Sequence, residues 1–223
     1  MKKFNTWDGA ALIIWLLPAV YLLYIFPGLP DTLPVHFGLN GTPDRYGSKT
    51  EFLAAPLILM GMSMLVYLLM KFLPAIDPKK YVKYGEPVFQ KIGVGIVVLM
   101  AAISIGIMIA ATTGVFKADR FVLPGVGLFF AFMGNLMHSI KPNYFAGLRT
   151  PWTLEDNDTW RATHRLAGKM WFAGGIILTA IALLLPAKAG MITFMGITFV
   201  MVIIPVIYSY VYYKNHHQDK TAE

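Results

Sequence analysis

Polar side chains suited to recognising a ligand are concentrated in residues 141–169, called here the 141–169 loop. Arginine presents a planar fork of hydrogen-bond donors, tryptophan presents a broad flat ring, and histidine can donate or accept a proton. Such a set could form a docking surface for a partner or a site for a small ligand. The candidate binding residues of the loop are Asn143, Arg149, Thr150, Trp152, Trp160, His164 and Arg165.

A second polar segment, residues 33–49, is called here the 33–49 loop. It contains two turn signals, Asn40-Gly41 and Pro43-Asp44, so its backbone should follow fixed tight turns. A passive connector between two helices needs only a few residues, which makes a segment of this length with ordered turns a candidate binding element. Its candidate binding residues are His36, Asn40, Gly41, Pro43, Asp44 and Lys49.

Catalytic chemistry has little support in the sequence. The chain has no cysteine, and it has no HExxH, GxSxG or P-loop motif. His138 and His164 could hold a metal only with a third ligand, either Asp156 or Asn135, and nothing in the spacing demands one. We therefore predict no catalytic residues, metal or cofactor. One alternative stays open, namely an integral-membrane enzyme or transporter that acts on a small lipid or peptide at the cytoplasmic face.

The elements that must position these loops are membrane-spanning helices. Of the 223 residues, 57% are hydrophobic and only 14% are charged, whereas a soluble domain has roughly 25% charged residues. A helix that crosses a bilayer needs roughly 20 apolar residues. These features predict an all-α, polytopic membrane protein with six transmembrane helices. The six apolar stretches are Ala10–Phe26, Phe52–Met70, Ile92–Phe116, Phe121–Met137, Met170–Ala187 and Met191–Tyr213.

The distribution of positive charge predicts the orientation of the spans. Of the 19 lysine and arginine residues, 14 lie in the two termini and in the loops after the second and fourth spans. Cytoplasmic loops carry the excess of basic residues, so both termini and the 141–169 loop are expected in the cytoplasm and the 33–49 loop outside. We also predict a two-span unit over 1–75 and a four-span unit over 76–223.

Two features between and within the spans have alternative interpretations. Thr153 to Asp156 is a helix-start signal, and it predicts a short amphipathic interfacial helix between spans four and five, either a lipid anchor or part of a binding site. In the third span, small residues four apart predict a homodimer seam or internal packing. They are Ala102, Gly106, Ala110 and Gly114.

The motif Gly147–Leu154, followed by Trp160, Thr163–Arg165 and Gly168-Lys169, resembles the signature of the SdpI family, bacterial membrane proteins named for immunity to a secreted toxic peptide. Leu148 stands where the family usually has isoleucine. The run from Pro34 to Lys49 resembles the N-terminal domain of unknown function found in the same family.

The resemblance implies a protein of the bacterial inner membrane that protects the cell against an antimicrobial peptide. The implied partners are the lipid bilayer and the secreted peptide. For the founding member they include a soluble transcriptional repressor captured at the membrane, so direct contact with nucleic acid is not expected. The resemblance brings no established catalytic residues to this chain.

Overall fold

The computed structural model describes residues 4–38, 41–76, 86–115 and 117–221, and it is 80% helical. Within these residues, six helices are long and apolar enough to cross a membrane, which confirms the predicted all-α, six-span class. The long helices are α1 (Thr6–Ile25), α2 (Lys49–Ile76), α3 (Glu86–Thr113), α4 (Ala118–Met137), α6 (Asn157–Leu184) and α7 (Ala187–Thr221). A short helix, α5 (Pro151–Glu155), and two strands, β1 (Thr32–Phe37) and β2 (Pro43–Ser48), complete the fold.

The chain folds into two compact units. The first consists of Met1–Lys71 and Gln90–Val122, and the second consists of Phe72–Phe89 and Leu123–Glu223. The predicted sequence units 1–75 and 76–223 differ from these in the placement of α3, and that division stays a prediction.

In the first unit, the 33–49 loop folds as an antiparallel β-hairpin. Thr32 pairs with Ser48 and Leu33 pairs with Gly47, and a bulge interrupts the ladder after Pro34. Leu33 is fully buried in a cluster with residues that include Leu22 and Phe52, so the hairpin is attached through an apolar side chain. The prediction of tight turns is confirmed at Gly41, whose φ is +75°; Asn40 lies outside the described residues.

In the second unit, α4 and α6 pack with their backbones in direct contact. A Cβ atom on Gly134 would lie 2.3 Å from the backbone nitrogen of Phe172, and one on Gly175 would lie 2.3 Å from that of Ala131. Gly127 on α4 and Gly168 on α6 meet the partner helix equally closely. Two glycines seven residues apart on each helix therefore form the seam, a spacing that could have been noticed in the sequence.

The structure differs from the predicted short amphipathic helix. Helix α6 runs without interruption from Asn157 to Leu184, so its first turns are continuous with the fifth span. Gly168 lies where α6 packs closely on α4, because a Cβ atom there would lie 2.9 Å from the carbonyl oxygen of Gly134. The face with Trp160, His164 and Ala167 is buried in protein.

Two of the four small residues of α3 pack inside the first unit. Ala110 is buried, and a Cβ atom on Gly106 would collide with the ring of Phe121. Gly114 has φ +72° and follows the last residue of the helix, while Ala102 is half-buried. The internal-packing interpretation describes Gly106 and Ala110, and the homodimer stays a prediction.

Candidate functional site

Two helix starts define the 141–169 loop. Thr150 caps α5 through a reciprocal capping box with Thr153, and Pro151 occupies the first helical position, where its missing N–H costs nothing. Asp156 caps α6, and its Oδ2 accepts hydrogen bonds from the backbone nitrogen of Thr159 at 2.7 Å and from the Thr159 hydroxyl at 2.6 Å. The predicted helix start at Thr153 is wrong by three residues, because Thr153 lies inside α5 and the two helices are capped by Thr150 and Asp156.

The charge on Asp156 is favoured by its surroundings. Burial alone would raise the pKa of this carboxyl. The hydrogen bonds from Thr159 and the electrostatic interaction with the nearby His216 lower the pKa by a larger amount. The net pKa lies below its ordinary value. Asp156 is therefore an ionised cap at neutral pH, not a proton donor.

Asn143 holds the first part of the loop together. Its Oδ1 accepts hydrogen bonds from the backbone nitrogens of Phe145 at 2.8 Å and Ala146 at 2.6 Å. Its Nδ2 donates to the carbonyl oxygens of Lys141 at 2.8 Å and Ala146 at 2.9 Å. The side chain is fully buried, and both donors and both acceptor positions of the amide are used. Asn143 is consequently a structural residue that no ligand can reach.

His164 connects α6 to the motif that precedes α5. Its Nε2 accepts a hydrogen bond from the backbone nitrogen of Leu148 at 3.1 Å, while its Nδ1 lies 2.8 Å from the carbonyl oxygen of Trp160. The two contacts together require a neutral imidazole protonated on Nδ1. A Cβ atom on Gly147, where φ is +104°, would lie 2.4 Å from Nε2, so only glycine fits there.

Trp160 continues this buried network toward the end of α4. Its ring stacks on the His164 ring with 4.1 Å between centroids, and its Nε1 donates to the carbonyl oxygen of Ile140 at 2.8 Å. Both side chains are 1% exposed. Because every polar ring atom of this pair is already bonded within the chain, neither residue offers a free donor or acceptor to a ligand.

The short helix α5 is fastened to α7 through Ser209. The Trp152 Nε1 donates to the Ser209 hydroxyl, the Thr150 hydroxyl lies 3.4 Å from the same oxygen, and the Trp152 ring meets Tyr210 edge to face. Ser209 was missing from the predicted site because it lies 57 residues beyond Trp152 in the sequence.

The predicted residues of the 141–169 loop therefore fall into two groups. Asn143, Thr150, Trp160 and His164 are buried and form the scaffold of the loop, while Arg149 and Arg165 are exposed and Trp152 is half-buried. The Arg149 guanidinium donates to the carbonyl oxygen of Tyr144 at 2.6 Å, which holds it against the loop surface. That these residues bind a ligand stays a prediction, and only the second group has side chains that are partly or fully exposed.

The hairpin brings some of its predicted residues together. His36 and Asp44 face each other across the strands with 2.5 Å between Nδ1 and Oδ1, and Pro43 begins β2. Lys49 lies apart from them, with its Nζ 3.9 Å from Asp31 Oδ1 and 5.9 Å from the centre of the Phe26 ring. Arg45, which was not predicted, pairs with Glu51 at 2.5 Å.

A buried ionic cluster in the first unit was also missed. Asp8 Oδ1 accepts hydrogen bonds from Tyr67 OH at 2.7 Å and from Lys71 Nζ at 2.8 Å, and Asp8 is 5% exposed. The predicted apolar stretches stopped just short of Asp8 and Lys71, whereas α1 and α2 continue through them. The signal available in the sequence was an acidic residue just before the first apolar stretch and a basic residue just after the second.

Comparison with known protein families finds a match over each of the two regions described above, the hairpin and the 141–169 loop. The model of the SdpI/YfhL protein family matches residues 139–209, and that of a domain of unknown function, DUF1648, matches residues 13–60. The immunity protein SdpI of Bacillus subtilis is 22% identical over 204 residues, which is 92% of this chain and 94% of that protein. Residues 139–209 therefore resemble the SdpI/YfhL family, and nearly the whole chain resembles an immunity protein of that family. The predicted resemblance is confirmed, and the chain is a multi-pass membrane protein.

The family matches cover both candidate regions. Residues 139–209 extend from the loop to Ser209, and residues 13–60 include the whole hairpin. An uncharacterised protein of Archaeoglobus fulgidus is 44% identical over 55 residues, which is 22% of this chain and 30% of that protein. No solved structure matches the chain. The family takes its name from an immunity protein and not from an enzyme activity.

Proposed function

We propose that this protein is a membrane immunity protein that protects a bacterial cell against a secreted antimicrobial peptide. The observation that carries the proposal is its similarity to the Bacillus subtilis immunity protein SdpI over 92% of the chain, which includes both the hairpin and the 141–169 loop. A similarity that covers nearly the whole chain favours a shared role, because it is not confined to a single shared domain.

The proposed location is the cytoplasmic membrane, with both termini in the cytoplasm. The excess of basic residues in the termini and in the 141–169 loop supports this orientation. It places the hairpin outside, where a secreted peptide arrives, and the 141–169 loop inside. A reporter fused after Glu223 should be active in the cytoplasm, and one inserted at Gly41 should report the outside.

The hairpin is the proposed receptor for the peptide. A groove of about 540 Å³ lies beside it, with Val35, Phe37 and Ile107 among its apolar walls and Arg45 and Glu51 on its lining. Apolar walls with a few charged groups suit an amphipathic peptide. His36 also lines the groove, so the predicted pair of His36 and Asp44 belongs to the same surface.

The accessible residues of the 141–169 loop are the proposed contact surface for a soluble repressor. Arg149 and Arg165 are exposed cations, and the half-buried Trp152 offers part of its ring. Arginine and tryptophan are the residues that most often dominate protein interfaces. The protein would hold a repressor through these side chains without touching nucleic acid itself.

The alternative of an enzyme or transporter at the cytoplasmic face gains no support from His164. A general base or metal ligand needs a free ring nitrogen, and both nitrogens of His164 are bonded within the chain. Within the described residues, no group of three or more histidine or acidic side chains is placed to hold a metal.

Survival of cells tests the immunity role. The gene is deleted in its own bacterium, and the deletion strain is exposed to the supernatant of a dense parental culture, with and without protease treatment. We expect the deletion strain to lose viability, a plasmid copy to restore it, and protease to abolish the killing. Equal survival of deletion and parental strains would contradict the proposal.

A charge reversal tests the hairpin within the same assay. Arg45→Glu should reduce protection, because it places two carboxylates beside the groove in place of an ion pair. Lys117→Glu is the matched control, because Lys117 is also exposed but does not line this groove. The two substitutions change the net charge by the same amount. Equal protection by the two variants would remove the hairpin groove from the proposed mechanism.

Two changes in the 141–169 loop separate its scaffold from its surface. Arg149→Lys should lose function with unchanged thermal stability, because lysine keeps the charge but not the planar fork of donors. His164→Ala should lose function together with stability, because it leaves the Leu148 N–H without its partner. If both variants confer parental survival, the motif has only an anchoring role.

A further inference from the structure

The end of α4 and the start of α6 enclose a cavity of about 510 Å³ in the second unit. Its floor is formed by the rings of Trp160 and His164, whose polar atoms are already bonded. Cationic and titratable side chains form the rim: Lys141, Arg161, Arg165 and His138. No carboxylate from the described residues lines this cavity, so its electrostatic potential favours an anion.

The positive charges around the cavity are poorly compensated. Arg161 faces Asp158 at 3.6 Å, but Lys141 and Arg165 form no ion pair with any described residue. Arg161, Arg165 and Lys169 are spaced four apart, so their side chains repel one another along one face of α6. A bound anion would relieve each of these costs.

A second hollow continues from the first along the seam between α4 and α6. It has a volume of about 440 Å³ and shares His138 and Arg165 with the cavity. The other residues that line it are Gly134, Asn135, Gly168, Lys169 and Phe172. The two helices touch at Gly134 and Gly168, so the hollow lies over this contact as a shallow groove beside the exposed Phe172 ring. The groove leads from a cluster of cations to an apolar surface.

The position of the cavity along the helices identifies the source of the anion. The apolar span on α4 ends at Met137, and the cavity begins at His138, so it lies where the hydrocarbon region gives way to the headgroup region. Basic pockets between transmembrane helices at this depth bind lipid headgroups. A soluble anion would satisfy the cations but would leave the adjoining groove and its exposed Phe172 ring without an occupant.

We propose that this cavity binds the phosphate of an anionic phospholipid, with Lys141 and Arg165 as its principal donors and with an acyl chain along the groove past Phe172. The site shares Arg165 with the surface proposed for a repressor, and it differs from that surface because its ligand comes from the membrane itself. It goes beyond the immunity role and would exist whether or not a toxin or repressor is present.

Lipid titration of the full-length protein tests the proposal. The protein is purified in detergent and titrated with phosphatidylglycerol or with phosphatidylcholine of the same acyl chains, and bound lipid is counted by native mass spectrometry. Each cation near an anionic lipid contributes about a fivefold change in affinity, so Lys141→Gln and Arg165→Gln should each weaken phosphatidylglycerol binding about fivefold. Binding of phosphatidylcholine should be weak in every variant.

Lys188→Gln is the matched control, because Lys188 is exposed in the first turn of α7 and does not line the cavity. It removes the same charge and should leave phosphatidylglycerol binding unchanged. Equal retention of the two lipids, or equal losses in Lys188→Gln and Arg165→Gln, would overturn the proposal. Lys141 lies outside the helices, so its variant reports on binding even if Arg165→Gln fails to fold.

Inorganic phosphate distinguishes the lipid from a free anion. Added at the concentration of the lipid, it should not displace phosphatidylglycerol, because it lacks the chain that occupies the groove. Displacement of the lipid by phosphate at equal concentration would assign the cavity to a soluble anion and would overturn the lipid proposal.

Discussion

The hairpin and the 141–169 loop both place polar sequence between long apolar helices, but different forces hold them. The ion pairs of the hairpin, His36 with Asp44 and Arg45 with Glu51, have side chains that are 41–64% exposed. In the 141–169 loop, Asn143 and His164 are at most 1% exposed. Exposed pairs are screened by water, whereas a buried polar group costs free energy whenever its partner is lost.

The comparison teaches that each region is stabilised by what it buries. The hairpin buries Leu33 and leaves its polar groups exposed, so its surface can vary without loss of structure. The 141–169 loop buries its polar groups, so its motif residues are constrained by folding first. A motif residue in this loop is therefore not evidence of ligand contact unless it is also accessible.

The buried pair of Asp8 and Lys71 tests whether the stability that an ion pair contributes depends on its burial or on the unit to which it belongs. It belongs to the same unit as the hairpin, yet its side chains are only 5% and 10% exposed. Lys71→Met should lower the free energy of unfolding by about 3–5 kcal/mol, because it leaves the Asp8 carboxylate buried without its cation. Thermal unfolding in detergent measures the loss.

Arg45→Met is the matched variant, since it removes one cation from an exposed pair of the same unit. It should change the free energy of unfolding by less than about 1 kcal/mol. Similar losses for Lys71→Met and Arg45→Met would show that burial is not the deciding factor.

Gly147→Ala should cost about 3 kcal/mol, the next largest effect, because alanine at φ +104° is strained and its Cβ would displace His164 from Leu148. Gly196→Ala is the control on α7, where a Cβ atom meets nothing within 4 Å. It should raise stability by up to about 1 kcal/mol, because alanine favours a helix. Equal melting temperatures for the two variants would contradict the close fit of Gly147 against His164.

Asp156 is half-buried and should show an intermediate effect. Asp156→Ala should cost about 1 kcal/mol through loss of the α6 cap, while Asp156→Asn should retain most of it. Since its pKa is lowered on folding, the stabilisation is complete above the ordinary pKa of 3.8 and is lost as the pH falls through the lowered value. The melting temperature of the unchanged protein should therefore fall across that acidic range. The fall should be smaller in Asp156→Asn, which has no carboxyl to protonate at this position.

The exposed hairpin pair should show the smallest effect. Asp44→Asn should change stability by less than about 1 kcal/mol, and the difference should shrink further at high salt. Leu33→Ala in the same hairpin should cost about 2–5 kcal/mol, because it removes a fully buried side chain. A large, salt-insensitive loss for Asp44→Asn would mean that the hairpin surface is structural after all.

Much of the fold could be predicted from the sequence because membrane insertion is decided locally. Each span is a stretch of apolar residues whose length matches the bilayer, so six spans followed from composition alone. The glycine turn at Gly41 and the helix starts near Thr153 were equally local signals. The strands of the hairpin were not predicted, because Pro34 and the bulge beside it hide the alternation that marks a strand.

The sequence by itself determined the six spans, the resemblance to the SdpI/YfhL family and the two polar regions between the spans, because each is encoded by neighbouring residues. Only the tertiary structure decided which motif residues are buried. The contacts of Trp160 with Ile140, Tyr67 with Asp8 and Trp152 with Ser209 join residues 20, 59 and 57 positions apart. Since burial depends on such distant partners, tertiary packing turned Trp160 and His164 into a scaffold and left Arg149 and Arg165 exposed.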